Sequence, residues 1–176
     1  MVPGYYVTTT NDTINCQVKL PKPMFSKSVV LSGLLHKVEV TDSVNGSKKF
    51  KPGDIRSFEF IYNENKYTFY SPACNKDFNA FFQAVILGQK TNLYTYQTVT
   101  TSGQPLGAIY TFEKADGSCT FLNIAARKLD FFRKTLKEFY KENIEIQQLI
   151  DKKFKYRAMV ENDMREIVRA VNKQIQ

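Results

Sequence analysis

The feature that most constrains this fold is a change in hydrophobic periodicity near residue 125. Before it, apolar and polar residues alternate in short runs separated by turn signals, a pattern typical of antiparallel strands. After it, apolar residues recur about every three to four positions, as on one face of a helix. Neither glycine nor proline follows Gly117. We therefore expect an α+β protein, with antiparallel strands first and helices packed on them.

About eight to ten strands are predicted before residue 125, joined by short turns into a curved sheet, a roll or an open barrel. Their centre is a hairpin of residues 81–87 and 92–98 around a turn at 88–90. Turn signals at 11–12, 51–54, 63–65 and 115–117 separate the other strands. Within residues 24–35, the run at 28–31 fits either a short strand or an edge crossing. Loops are expected at 72–79 and 100–105.

Three C-terminal segments have helical periodicity: one from residue 125, one over about 144–153 and one over about 156–175. Their apolar stripes are Leu129, Phe132, Leu136 and Phe139; Ile146, Leu149 and Ile150; and Val160, Met164, Ile167, Val168 and Val171. At this length we expect a single domain over residues 1–176, with a β part at 1–124 and a helical part at 125–176.

The net charge of +8 is concentrated in the C-terminal third. From residue 125 onward, 13 Lys and Arg stand against 8 Asp and Glu, and the two signs are interspersed. Nucleic-acid binders usually have a denser basic stripe, so the sequence does not favour a nucleic-acid partner. No apolar run is long enough to span a membrane. Contact with an anionic membrane surface stays open as a second interpretation of the charge.

Cysteine and histidine are too few and too scattered for a usual zinc site. Cys16, Cys74 and Cys119 form no CxxC pair, and His36 is the one histidine. One disulfide or three buried thiols would both be consistent with this spacing. The sequence also has no GxSxG, SxxK or Gly-rich phosphate loop. We therefore expect no cofactor and no metal, and we favour a non-catalytic protein over an enzyme.

Two groups of residues form the candidate interaction surface. Tyrosines on a sheet face can stack on a ligand or dock a peptide, although the sequence favours their interpretation as core residues beneath the helices. The densest basic run can contact an acidic partner or lipid headgroups, although a solvated bend between two helices explains it too. The residues are Tyr5, Tyr6, Tyr94, Tyr96, Lys152, Lys153, Lys155 and Arg157.

Three stretches resemble a family of uncharacterised exported proteins of Bacteroidetes-type bacteria. They are GYYVTTTNDTI from Gly4, KPGDIRSFEF from Lys51 and FFQAVILGQKTNLYTY from Phe81. All three are strand and turn signatures rather than catalytic motifs. The resemblance implies a periplasmic or other envelope location, with a leader peptide removed. The residues alone fit a cytoplasmic protein equally well. No activity or functional residue comes with the resemblance.

These observations lead to three hypotheses for the function. The first is a non-catalytic binding or protein-interaction module of the bacterial cell envelope. The second is a carrier that holds a small apolar ligand inside a curved sheet. The third is an enzyme of unrecognised class, which would need carboxylates clustered in a cleft. The expected partner is accordingly a protein or a small apolar molecule.

Overall fold

A computed structural model describes residues 1–21, 31–43, 46–72, 79–99, 105–125 and 128–173. In these ranges the chain forms ten strands in one antiparallel sheet, followed by three α-helices, which confirms the predicted α+β class. The strands are β1 (Val2–Thr8), β2 (Thr13–Lys19), β3 (Val38–Asp42), β4 (Gly46–Phe50), β5 (Ile55–Tyr62), β6 (Asn65–Tyr70), β7 (Phe82–Ile86), β8 (Thr91–Val99), β9 (Pro105–Lys114) and β10 (Cys119–Asn123). The helices are α1 (Leu129–Phe139), α2 (Ile144–Lys152) and α3 (Val160–Lys173).

The sheet is open, with the order β10-β9-β8-β7-β6-β5-β1-β2-β3-β4. Its first half is strongly curved. Three strands lie between β5 and β4, so a flat sheet would separate these two strands by about 19 Å. The short link from Phe50 to Ile55 spans at most about 18 Å when fully extended. The sheet curls accordingly, and the rings of Tyr6 on β1 and Phe50 on β4 come within 4.9 Å of each other.

The chain is divided into two compact units. Unit 1 comprises Met1–Ala84 and Thr98–Gln104, and unit 2 comprises Val85–Gln97 and Pro105–Gln176. This boundary runs through strands β7 and β8 rather than between the strands and the helices. The expectation of one domain over residues 1–176 stays a prediction.

The core of unit 1 is built around phenylalanines on β5 and β6. Phe58 stacks on Phe69 with ring centroids 4.9 Å apart, and Phe81 meets Phe58 edge-on at 5.0 Å. All three side chains are fully buried. Burying an aromatic side chain of this size contributes about 1.5–3 kcal/mol, so this stack is a main source of stability in unit 1.

Strand β1 approaches β5 so closely that Gly4 has no room for a side chain. A Cβ atom at Gly4 would lie 2.1 Å from the backbone oxygen of Glu59, the residue before its partner Phe60 in the β1–β5 ladder. A backbone oxygen in a ladder cannot rotate away as the end of a side chain can. Glycine is therefore a geometric requirement at this position.

The core of unit 2 forms where the helices pack on β8, β9 and β10. The predicted helical stripes are confirmed: Phe132 and Leu136 on α1, and Ile146 and Ile150 on α2, are buried. All five predicted residues of the third stripe are also buried on α3. They pack against the strand residues Leu93, Tyr110, Phe112 and Leu122. None of the described helices is long and apolar enough to cross a membrane.

Several sequence predictions need correction or fall outside the described residues. Strand β4 was missed because its sequence, GSKKF, is polar and mostly exposed. Leu31 belongs to a 3-10 turn, Leu31–Leu34, rather than to a strand, and residues 28–30 lie outside the described part. The third helix begins at Val160, after a 3-10 turn at Arg157–Met159. Most of the predicted loops at 72–79 and 100–105 also lie outside the description.

Candidate functional site

Two tyrosines of the candidate interaction surface are buried. Tyr6 is 3% exposed and donates a hydrogen bond to Asp42 Oδ2 at 3.1 Å. Tyr94 is 2% exposed and donates to Glu113 Oε2 at 2.7 Å. Neither ring therefore forms part of an exposed surface. Leu93 and Thr95, on either side of Tyr94, are buried as well, so β8 is covered on both faces here. The favoured interpretation of these two tyrosines as core residues fits the structure.

Tyr5 and Tyr96 are half-buried, and Tyr5 belongs to a polar network on β1, β5 and β6. The network centres on Glu59, which lies opposite Tyr5 in one ladder and Thr68 in the next. Thr68 Oγ1 donates to Glu59 Oε2 at 2.9 Å, and Lys66 Nζ lies 2.9 Å from the same oxygen. Burial favours the neutral carboxyl, but the hydrogen bonds from Lys66, Thr68 and Tyr5 outweigh it and lower the pKa of Glu59.

The basic run Lys152–Arg157 begins at the last residue of α2, and only part of it is a free cationic surface. Lys153 lies 3.8 Å from Asp163 and forms a second salt bridge with Glu166, both on α3. Arg157 Nη2 donates to the carbonyl of Ile124. Lys152 and Lys155 remain exposed and form no salt bridge with any described residue. The structure thus uses half of this run to fix the bend between α2 and α3.

A groove lined by three lysines lies in unit 1 where β2, β3 and β4 run side by side. It encloses about 420 Å³. We call it the lysine groove. Lys19, Glu39 and Lys49 occupy one cross-strand row, because Lys19 pairs with Glu39 and Glu39 with Lys49. The described residues that line it are Lys19, Leu20, Pro21, Gly33, Leu34, Lys37, Glu39 and Lys49.

The charges of the lysine groove do not cancel. Lys19 Nζ lies 2.9 Å and Lys49 Nζ 3.8 Å from the Glu39 carboxylate. The hydrogen bond from Lys19 lowers the pKa of Glu39, so this carboxylate is ionised at neutral pH. Lys37 is exposed and forms no salt bridge with a described residue. One carboxylate among three lysines leaves an excess positive charge beside the apolar side chains of Leu20 and Leu34.

Sequence reasoning missed the lysine groove because its cations are scattered along the chain. Each lysine looks by itself like an ordinary solvated residue on or beside a strand. The one local signal was the position of Lys19, the last residue of β2, between the buried side chains of Val18 and Leu20. Only the pairing of β2, β3 and β4 brings residues 19, 39 and 49 into one row.

Other residues considered for chemistry have structural roles. Asp54 caps the turn at residues 51–54, with Oδ2 accepting a hydrogen bond of 2.7 Å from Lys51 N. His36 is exposed, and its Nδ1 lies 3.4 Å from the carbonyl oxygen of Asn79. Within the described ranges, no three His, Cys, Asp or Glu side chains come together to hold a metal ion.

The cysteines differ in state. Cys16 is a free, buried thiol. Burial, and secondarily the charge of Asp42, raise the pKa of Cys16 to about 11. Cys119 is disulfide-bonded. Cys74 lies outside the described residues.

Comparisons with protein-family models, with curated proteins and with solved structures found no match to this chain. The resemblance to exported Bacteroidetes-type proteins therefore rests on the three sequence stretches quoted above. The site has to be interpreted from its own chemistry.

Proposed function

We propose that this protein is a non-catalytic binding module of the bacterial cell envelope, and that the lysine groove holds an extended acidic segment of a partner protein. The observation that carries the proposal is the excess of positive charge in the groove beside an apolar floor. A segment with both acidic and apolar side chains matches these two properties.

The geometry of the groove favours an extended segment over a compact ligand. Lys19 and Lys49 stand on either side of Glu39, two strand spacings apart, or about 10 Å. Alternate side chains of an extended peptide are about 7 Å apart. Two acidic side chains of one segment can therefore approach the two lysines, while an intervening apolar side chain faces Leu20 or Leu34.

Two observations support an envelope location. The chain resembles exported proteins in three stretches of its β part, residues 4–14, 51–60 and 81–96. Cys119 is disulfide-bonded, and disulfides form and persist mainly in oxidising compartments such as the periplasm. The cytoplasmic alternative would require this bond to survive in a reducing environment.

The test uses a defined probe, a capped hexapeptide of alternating aspartate and leucine, with binding followed by fluorescence polarisation. The double variant Lys19→Ser/Lys49→Ser should weaken binding by about threefold or more, because each surface ion pair contributes roughly 0.2–1 kcal/mol. The matched control is Lys152→Ser/Lys155→Ser, which removes the same charge from the exposed basic run. A second control peptide carries asparagine in place of aspartate.

The expected result is loss of affinity in the groove variant alone, and weak binding of the asparagine peptide. A loss confined to Lys152→Ser/Lys155→Ser would move the binding surface to the basic run. Equal binding of the aspartate and asparagine peptides would refute the role of charge.

One observation favours a small apolar ligand as a second candidate. The volume of about 420 Å³ and the side chains of Leu20, Pro21 and Leu34 are within the range of small-molecule sites, roughly 300–1,000 Å³. Native mass spectrometry of the purified protein separates the two ideas, because a retained small molecule would add a discrete mass.

The enzyme hypothesis has the least support. Three clefts lined by the described residues each contain one carboxylate side chain, namely Glu39, Asp42 and Glu142. An acid/base pair of carboxylates would need two in one cleft.

A further inference from the structure

The bend between α2 and α3 forms a charged surface of unit 2 that shares no residue with the lysine groove. It consists of residues 152–159, which run from the last residue of α2 through a 3-10 turn to the start of α3. We call it the basic bend. Residues 155–159 are all exposed, and Lys152 is exposed as well.

The backbone of the basic bend is fixed by one buried residue, Phe154. Its φ of 56° lies in the left-handed region that bulky side chains rarely adopt. The Phe154 side chain is fully buried, and its ring meets that of Phe132 on α1 at 6.1 Å. Its backbone N donates to Oδ2 of the buried Asp163 at 2.8 Å. A strained conformation of this kind persists only where the surrounding contacts hold it, so the bend is a built feature rather than a loose turn.

Two large apolar side chains lie in water on the outer side of the basic bend. Tyr156 is 71% exposed and Met159 is 46% exposed. A single exposed apolar residue is ordinary. These two are joined by a turn, however, in which Met159 N donates to Tyr156 O at 3.0 Å. Such a turn brings the two Cα atoms within about 7 Å, so the side chains form one apolar spot on the surface.

The positive charge of the basic bend is not cancelled by the carboxylates around it. Lys152 and Lys155 form no salt bridge with a described residue. Arg157 is a third cation, and its Nη2 donates to the uncharged carbonyl oxygen of Ile124. The carboxylates that are near in sequence pair with other cations, in the salt bridges Lys137–Asp151, Lys153–Asp163, Lys153–Glu166 and Arg165–Glu161. The apolar spot is therefore flanked by an excess of positive charge.

This combination of charge and exposed apolar side chains matches the surface of an anionic lipid bilayer. At such a surface lysine and arginine are attracted to the headgroups, while a tyrosine ring lies at headgroup level with its apolar body toward the acyl chains. A bilayer also accepts a convex turn without a hollow shaped for it. A folded acidic protein would need such a hollow to cover Tyr156 and Met159, so the observations favour the bilayer.

We propose that the basic bend docks on the surface of an anionic lipid bilayer. Lys152, Lys155 and Arg157 lie among the headgroups, and Tyr156 and Met159 insert at the boundary with the acyl chains. Each cation near such a surface strengthens binding about fivefold, so we expect half-maximal binding at on the order of 1 mM lipid. Contact of this strength is reversible rather than permanent. The inference does not depend on the function proposed for the lysine groove.

The chain contains no tryptophan, so Tyr156→Trp places a single fluorescent reporter in the basic bend. The whole chain is titrated with vesicles that contain phosphatidylcholine and phosphatidylglycerol in equal parts. We expect the emission to move to shorter wavelength and to saturate with lipid, because the ring leaves water. Vesicles of phosphatidylcholine alone should give no such change. Salt at about 0.5 M should reverse the binding, because it screens the charges.

Ile144→Trp is the matched reporter at the opposite end of α2. Ile144 is 73% exposed, and the acidic residues Glu142 and Glu145 beside it are exposed too. Helix α2 rises 1.5 Å per residue, which places this reporter about 12 Å along the axis from Lys152. Its emission should stay unchanged with the same vesicles. A shift of the Tyr156→Trp reporter alone would identify the bend as the part that meets the lipid.

Two double variants test the charges in the Tyr156→Trp background. Lys152→Ser/Lys155→Ser should weaken vesicle binding about tenfold or more, because it removes two of the three cations of the basic bend. Lys141→Ser/Lys173→Ser removes the same charge from the helix ends remote from the bend and should change binding less than about twofold. Sedimentation of the parent chain with the vesicles shows whether binding precedes the introduction of tryptophan.

Several outcomes would overturn the proposal. They are no sedimentation of the parent chain at roughly ten times the expected lipid concentration, equal emission shifts of the two reporters, equal binding to vesicles without phosphatidylglycerol, or equal binding of the two double variants. A shift of the Tyr156→Trp reporter with soluble polyglutamate but not with vesicles would also overturn it, and would show an acidic polypeptide as the partner.

Discussion

Asn172 on α3 and Thr91 at the start of β8 are joined by two hydrogen bonds that run in opposite directions. Asn172 Oδ1 accepts from Thr91 N at 3.1 Å, while Asn172 Nδ2 donates to Thr91 O at 2.8 Å. The same Oδ1 also accepts from Lys90 N at 2.9 Å. The side-chain amide of Asn172 thus forms the backbone hydrogen bonds that a neighbouring strand would otherwise form with the β7–β8 turn. It also attaches this turn to α3.

Asn172→Ala should destabilise the protein by about 1–3 kcal/mol, because it leaves the partly buried amide and carbonyl of Thr91 without their partner. Denaturant unfolding monitored by circular dichroism measures this. Asn162→Ala is the control on the same helix, since Asn162 makes only an exposed bond to Glu166 at 2.8 Å. An Asn172 variant as stable as the Asn162 variant would show that water replaces the amide without loss.

Gly88→Ala should destabilise the protein by displacing the side-chain amide of Asn172. A Cβ atom at Gly88 would lie 2.1–2.4 Å from the amide atoms of Asn172, so the Asn172 side chain must leave its place. The double variant Gly88→Ala/Asn172→Ala should therefore cost less than the sum of the two single changes, a coupling that a double-mutant cycle in denaturant measures. Additive costs would mean that the alanine strains the turn independently of Asn172.

Glu59 should make the free energy of unfolding decrease as the solution becomes acidic. Its pKa in the folded protein is lower than the ordinary value of 4.5, because its hydrogen bonds outweigh the effect of burial. The stabilisation is therefore present at neutral pH and is lost as the pH falls below 4.5 and through the folded-state value. Glu59→Gln should flatten this decline in urea midpoints measured from about pH 7 to about pH 3.

The control for this measurement is Glu64→Gln in the turn that follows β5. Glu64 is exposed and forms no salt bridge with a described residue, so its variant should keep the full acid-side decline. A decline of equal steepness in both variants would assign the pH dependence to other carboxylates.

The two described cysteines should react differently with iodoacetamide. Cys16 is buried with its pKa raised to about 11, so the folded protein should leave it unmodified at neutral pH. Denaturation without a reductant should expose Cys16 to alkylation, whereas Cys119 should react only after reduction. Peptide mass mapping reads out each site and identifies the partner of Cys119. Alkylation of Cys119 in the unreduced chain would contradict the disulfide.

Hydrophobic periodicity predicted correctly those elements whose buried face follows from their own sequence. The stripe Val160, Met164, Ile167, Val168 and Val171 lies on one face of any helix, so sequence spacing alone placed it in the core. The same holds for the hairpin around residues 88–90, where an apolar run and an alternating run flank a turn. Strand β4 has no such pattern, because its pairing with β3 rather than its own hydrophobicity makes it a strand.

Partners that are distant in sequence account for the errors at the candidate site. Tyr6 is bonded to Asp42, 36 residues away, and Tyr94 to Glu113, 19 residues away. At Tyr5 and Tyr6, alternation shows that one ring faces inward but not which one. At Tyr94, alternation does not apply, because Leu93, Tyr94 and Thr95 are all buried and β8 is covered on both faces there. The lysine groove is likewise assembled from several elements and leaves no contiguous motif.

The contact between Gly4 and the backbone of Glu59 provides a criterion for recognising relatives of this chain. Strand sequences drift quickly, because many apolar residues can fill one pleated face. The position opposite Phe60 has no such freedom, since any side chain would strike a backbone oxygen. A distant sequence that shares this sheet should keep a glycine two residues before the inward-facing side chain that corresponds to Tyr6. An aligned sequence with a larger residue there must join its first and fifth strands differently.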